Sequence, residues 1–183
     1  APGGDGASWA TAFDDLQDAL DAARLDPNID EIRVGEGLYR PDRGTGDRTA
    51  AFELVGGCDV VGGFAGTGAS DPDARIFATF LDGDLAGNDG GGSFADNSFH
   101  LLTAAALGEA IVVDGFYLIG GNADGAATLG DGAALRTFDS SVTMIDCVLA
   151  WNQATRGGAI AAFGGSVSLV RCSFLNLEAN DTG

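Results

Sequence analysis

Between Thr11 and Leu25 the apolar residues recur at helical spacing, and Phe13, Leu16, Ala19, Leu20 and Ala23 fall on one face. Thr11, followed by Asp14 in the third place after it, reads as a capping box. Asp14 and Asp15 sit in the first turn, where the helix dipole favours negative charge, and Pro27 ends the segment. The pattern predicts one amphipathic α-helix. From Ile32 onward the period changes. Short runs rich in Val, Ile, Leu or Phe follow one another, as in RIFATFLDGD, EAIVVDGFYLIGG, SVTMIDCVLAWN and SVSLVRCSFLN, each bounded by Gly, Asp, Asn or Ser. These are strand signals, and no second helix is predicted.

The strands repeat. Val142 to Leu149 is echoed by Val167 to Phe174, 25 residues further on. Self-similarity at such a period marks stacked coils. The expected fold class is therefore all-β: a right-handed parallel β-helix with an N-terminal capping α-helix. Residues one coil apart would stack at the strand spacing of ~4.8 Å, placing Cys147 on Cys172, Leu149 on Phe174 and Ile145 on Val170. Earlier coils align more loosely, through Asp114 on Asp146 and Gly132 on Gly158. About six coils between Ile32 and Leu177 would make a column on the order of 30 Å tall. The chain reads as one domain, with a lead and capping helix over 1–31 and coils over 32–183. The final LEANDTG stops where the preceding coil reads QATRGGAI, so the last coil is expected to be incomplete and open.

At CVLAWNQATRGGAI the chain resembles the right-handed parallel β-helix repeats of large bacterial surface proteins, the polymorphic outer membrane protein type, with a pectin-lyase-like fold. Those repeats carry Cys-x-Phe-x-x-Asn-x-Ala followed by Gly-Gly-Ala-Ile. Cys147, Leu149, Asn152, Ala154 and Gly157-Gly158-Ala159-Ile160 stand at those places; in the next coil Cys172, Phe174 and Ala179 match while Leu177 replaces the Asn. GDGASWATAFDDLQDAL, VVGGFAGT and LDGDLAGND also resemble the N-terminal capping region of such proteins. The resemblance implies a non-catalytic, extracellular structural or adhesive module.

Charge narrows the partners. There is no lysine; 9 arginines stand against 27 acidic residues, for a net charge of -18. Nucleic acid is not an expected partner, because its phosphates need cations, and anionic lipid is disfavoured for the same reason. No run approaches the ~20 apolar residues of a membrane helix, so insertion is not expected. The Ala1-Pro2-Gly3-Gly4 start suits prior removal of a signal peptide, and export to the cell surface is the expected localisation.

Candidate chemistry is sparse. Asp82, Asp84, Asn88 and Asp89 cluster on a Gly-rich loop, the hard-oxygen setting Ca²⁺ prefers, although Ala86 stands where the EF-hand pattern needs a ligand. The competing reading is a solvated acidic loop. Trp151 and Asn152 at a coil corner form a candidate ligand-binding pair, the Trp by stacking on a sugar, while Asn152 equally suits bonding turn backbone. Cys147 and Cys172, with Leu149 and Phe174, form a structural ladder; a disulfide is within reach, but vertical stacking rarely supplies its torsion. His100 is the one histidine and has no identifiable nucleophile partner. No Asn-Thr-Asp or Gly-His-Gly is present, which disfavours a glycoside hydrolase. A polysaccharide lyase stays open through Arg136 and Arg171, although Arg171 falls one coil above Asp146 and better suits a simple ion pair or a solvent-facing place; a Ca²⁺-dependent carbohydrate-binding module is the other alternative. The expected partners are the chain itself, through the open coil and onward into filaments, and a cell-surface glycan.

Overall fold

The computed structural model describes residues 4–179; the small-residue start at 1–3 and the end of LEANDTG at 180–183 lie outside it. Helix α1 spans Leu16–Leu25 and buries Leu16, Leu20 and Ala23. Its N-cap is Asp15, whose carboxylate accepts from the Gln17 N–H at 2.8 Å. The expected Thr11–Asp14 capping box does not form. Thr11 ends a 3-10 turn over Trp9–Thr11, and its hydroxyl donates to Asp5 Oδ1 at 2.6 Å. Phe13 thereby lies outside the helix.

Strands follow in chain order: β1 (Glu31–Gly35), β2 (Gly37–Tyr39), β3 (Phe52–Glu53), β4 (Asp59–Phe64), β5 (Thr79–Asp82), β6 (Leu102–Ala105), β7 (Ile111–Asp114) and β8 (Phe116–Ile119). After them come β9 (Asn122–Ala123), β10 (Leu135–Ile145), β11 (Val148–Ala150), β12 (Gln153–Ala154), β13 (Ile160–Val170), β14 (Ser173–Leu175) and β15 (Glu178–Ala179). The named strands pair in parallel throughout. One sheet has seven strands, in the order β1-β4-β7-β10-β6-β3, with β13 on β10. A second runs β14-β11-β8-β5-β2, and a third β15-β12-β9. The class is thus all-β with parallel sheets and, among the described residues, a single α-helix.

From β7 onward the chain passes from one sheet to the next, and β10 to β15 each pair with a strand from an earlier pass of the chain. Three columns of side chains fill the interior. Ile32, Val60, Val113, Met144 and Leu169 stack along one sheet. Tyr39, Leu81, Leu118, Leu149 and Phe174 stack along the second. Phe52, Leu102, Leu135 and Ile160 stack where the first half of β10 pairs β6. Each fully buried Val, Leu or Phe side chain contributes roughly 1.5–3 kcal/mol relative to exposure, so the columns dominate the stability. Helix α1 closes the β1 and β3 side of this core.

The 25-residue repeat holds through β10 and β13, and the expected pairs Leu149 with Phe174 and Ile145 with Val170 are in register. The preceding layer is displaced by 31 residues, as the Gly121–Asn152 contact shows. Ile145 faces Asp114, so Asp146 falls on Gly115 and not on Asp114. Likewise Asp131 bridges Arg156, which puts Gly132 on Gly157 and not on Gly158. The quantity that repeats at the corners is backbone hand. Gly115, Asp146 and Arg171 have φ of 80°, 49° and 53°; Gly120, Trp151 and Asn176 have 71°, 52° and 49°; Ala106, Asp139 and Gly164 have 51°, 44° and 76°. The second sheet contains five strands, so there are five layers where about six were expected. The missing length lies in the connections at 40–51, 65–78 and 83–101.

Asn152 locks two layers together. It is fully buried; its Oδ1 accepts from the Gly121 N–H at 2.9 Å, and its Nδ2 donates to Leu118 O at 2.9 Å and Ala150 O at 3.1 Å. Asn152→Ala is expected to destabilise the fold by about 2–3 kcal/mol, since it strands three buried backbone groups; a lowered urea midpoint at unchanged slope checks this. Ala106→Gly is expected to stabilise by up to ~1 kcal/mol by relieving its left-handed backbone, and a raised melting temperature is the readout. Gly115→Ala moves the other way, because its Cβ would meet Arg75 Nη2 at 2.6 Å and Gly62 O at 3.1 Å.

Candidate functional site

The acidic loop after β5 is assembled largely from its own bonds. Asp82 and Asp84 are buried. Arg40 Nη2 lies 3.1 Å from Asp82 Oδ2, and Asp82 Oδ1 accepts from the Asp84 N–H at 3.1 Å. Asp84 accepts at both oxygens, from the Asn88 and Asp89 N–H groups, each at 2.9 Å. Asn97 Nδ2 donates to Asp89 Oδ2 at 3.0 Å and to Gly120 O at 2.6 Å. The four residues singled out in the sequence therefore do share one loop. Their carboxylates are occupied by an arginine, an amide and backbone N–H groups. Among the described residues no group of three or more His, Cys, Asp or Glu is placed to hold a metal ion. A Ca²⁺ ion would compete for oxygens already bonded at Asp82 and Asp84, while Asp89 Oδ1 and Asn97 Oδ1 are buried without a hydrogen-bond partner.

The electrostatics match this. Burial pushes the Asp82 carboxyl up, against the Asp84 N–H and Arg40. Burial also raises Asp89, with the charges of Asp84, Asp82 and Asp96 adding to it. Asp84 is desolvated too, yet N–H donors from Asp89, Asn88 and Gly87 outweigh burial and leave it below the usual carboxylate range.

Cys147 and Cys172 stack as expected and are both free thiols, as is Cys58. Cys147 Sγ donates to Ile145 O at 3.2 Å, and Cys172 Sγ to Met144 O at 3.4 Å. Burial drives the Cys147 thiol up to about 12 and the Cys58 thiol to about 11. Trp151 is 56% exposed, while its neighbour Asn152 is enclosed and spends its amide on backbone, so any ligand contact at this corner falls to Trp151 alone. His100 is buried, with Nδ1 3.1 Å from Gly132 O; because a carbonyl only accepts, Nδ1 carries the proton. Desolvation lowers its pKa, against the backbone of Gly132 and Thr128.

Sequence reasoning missed the pairs of Arg48, Arg75 and Arg156, and anticipated only that of Arg171 with Asp146. Arg48 donates to Asn97 O at 2.6 Å and pairs with Asp124 Oδ1 at 2.6 Å, with its guanidinium 4.2 Å from the Phe99 ring centroid. Arg75 pairs with Asp114 at 2.7 Å. Arg156 to Asp131 and Arg171 to Asp146, each 2.6 Å, tie neighbouring layers. The last two pairs are separated by the 25-residue repeat itself, which was the signal present in the sequence. Arg171 is thereby committed to Asp146, against a role as a lyase base.

The most distinctive surface is the layer formed by β13, β14 and β15. Among the described residues these strands pair on one side only. Met144 and Leu149 are 0% exposed, whereas the residues stacked on them, Leu169 and Phe174, are 45% and 42% exposed.

On the native protein, maleimide is expected to label Cys172 and to spare Cys147 and Cys58, with all 3 cysteines labelled in denaturant; mass spectrometry of the adducts checks this. Asp89 has a raised folded pKa, so its favourable contribution is present below its ordinary 3.8 and is lost as pH rises through the folded value. Asp89→Asn is therefore expected to melt higher than the parent at pH 7, with the gain vanishing as pH falls below 3.8.

No protein-family model matches this chain, and neither a curated protein nor a solved structure matches it, so the geometry above is what bears on function.

Proposed function

We propose that the chain is a right-handed parallel β-helix of the bacterial surface-protein kind, capped by α1, and that it serves as a non-catalytic extracellular structural or adhesive module working through its open edge. One observation carries this reading. Among the described residues, β13, β14 and β15 present unpaired strand edges around exposed inward-facing Leu169 and Phe174, continuous with columns that are fully buried one layer below. An edge of that kind templates further parallel or antiparallel strands. The occupant proposed is a second copy of the chain. Helix α1 covers the core at the first layer, so contact between two open edges joins like ends and closes. Extension into a filament requires the β1 and β2 edges to accept the open edge as well, past α1.

The test is light scattering and negative-stain electron microscopy over a wide concentration range, for the parent and for Phe174→Glu. Concentration-dependent dimers or filaments that Phe174→Glu abolishes are expected. A parent that stays monomeric throughout, or an assembly indifferent to the substitution, overturns the reading.

A second reading, a Ca²⁺-dependent carbohydrate-binding module, is favoured by the exposed Trp151. It requires retention on a glycan array that Trp151→Ala or EDTA removes; retention unchanged by both sinks it.

A further inference from the structure

We infer that the cleft between the N-terminal segment, α1 and β1 binds a small organic cation carrying an aliphatic stem. The cleft has a volume of about 820 Å³, within the usual range for small-ligand sites of roughly 300–1,000 Å³. It lies at the first layer, so binding there is independent of a dimer formed through two open edges.

The aromatic wall is held in place. Trp9 Nε1 donates to Asp73 Oδ1 at 3.0 Å, and the Thr67 hydroxyl donates to Trp9 O at 2.7 Å. The indole lies 5.6 Å from the Phe64 ring centroid. Gly35 and Gly66 pack on each other beside it: a Cβ on Gly66 would stand 3.1 Å from Gly35 Cα and 3.7 Å from the indole. Phe13 and Tyr39 also line the cleft. Tyr39 donates to Gly35 O at 3.2 Å, which fixes its ring, and burial raises its phenol. The apolar floor includes Ile32 and Val34, both buried.

The rim sets the sign of the ligand. Asp15, Glu31, Glu36 and Asp73 line the cleft with a single cation, Arg33. That cation is already neutralised, at 2.6 Å from Glu31 and 3.3 Å from Asp73. Glu36 has no side-chain hydrogen bond or ion pair among the described residues. Aromatic faces, the unpaired Glu36 and the acidic excess at the rim attract an ammonium or guanidinium by cation–π and Coulomb terms. The floor rewards the apolar stem, and an anion is repelled. A neutral ligand gains the floor but not the rim.

The probe is n-hexylammonium, with 1-hexanol and hexanoate as neutral and anionic counterparts at matched ionic strength. The readout is tryptophan emission in the full chain carrying Trp151→Phe, which leaves Trp9 as the one tryptophan of the 2 present. A saturable response to hexylammonium is expected, with none from hexanoate and a much weaker one from hexanol. Glu36→Gln is expected to weaken hexylammonium by about threefold without moving the melting temperature. The absence of a saturable response, an equal response from hexanol, or an affinity unchanged by Glu36→Gln overturns the assignment.

Discussion

Everything in this molecule depends on the parallel register that sets one pass of the chain directly on the one before. Register fixes which side chains meet, and here it places like on like: Val113 on Met144, Leu118 on Leu149, Ala123 on Ala154. A slip of one residue would turn every inward side chain outward. The hydrogen bonds that enforce register and the apolar columns that reward it are therefore one cooperative unit. Asn152 and the layer-bridging arginines are fastenings added to that unit. Such pairs at the surface contribute little individually. Asn152, buried and using its amide on three backbone groups, contributes far more than any of them.

The αL corners explain why the sequence repeat is so faint. A layer needs a left-handed residue where one sheet turns into the next, and Gly satisfies that need without cost. In this chain the same corner is filled by Gly115, Asp146 and Arg171 in successive layers. The backbone demand is shared while the side chains are not, which costs about 1–2 kcal/mol at each non-glycine position. Glycine at these corners is a preference that the surrounding pairing overrides.

The legible stretches of the sequence were those with short-range periodicity. The Leu16, Leu20 and Ala23 face of α1 and the 25-residue echo from Val142 to Phe174 both came through. The matching Asp114 and Asp146 misled, because shared identity at a corner does not report register; the earlier layer is offset by 31, and Asp146 sits on Gly115. The layer count ran high because connections such as 83–101 take up chain length without adding a strand to the second sheet. The helix start moved from Thr11 to Asp15 because Asp5, distant in pattern though near in space, claims the Thr11 hydroxyl. Arg48, reaching Asn122 and Asp124 over 74 and 76 residues, leaves no local trace at all. The acidic loop was found as a cluster, but nothing in its composition reported that backbone donors already hold Asp84 at both oxygens.

The pairing that runs from layer to layer also gives the molecule a mechanical grain. A load applied along a strand must shear many hydrogen bonds together, as along the eleven residues of β10 against β13. A load applied from β1 toward β13 pulls each row of bonds along its own length, so the rows separate in succession. The layer of β13, β14 and β15, which among the described residues has neighbours on one side only, yields first, and peeling then advances inward a layer at a time. Resistance to stretch is thus a property of direction: tough across the layers' edges, and soft along the axis on which they are stacked.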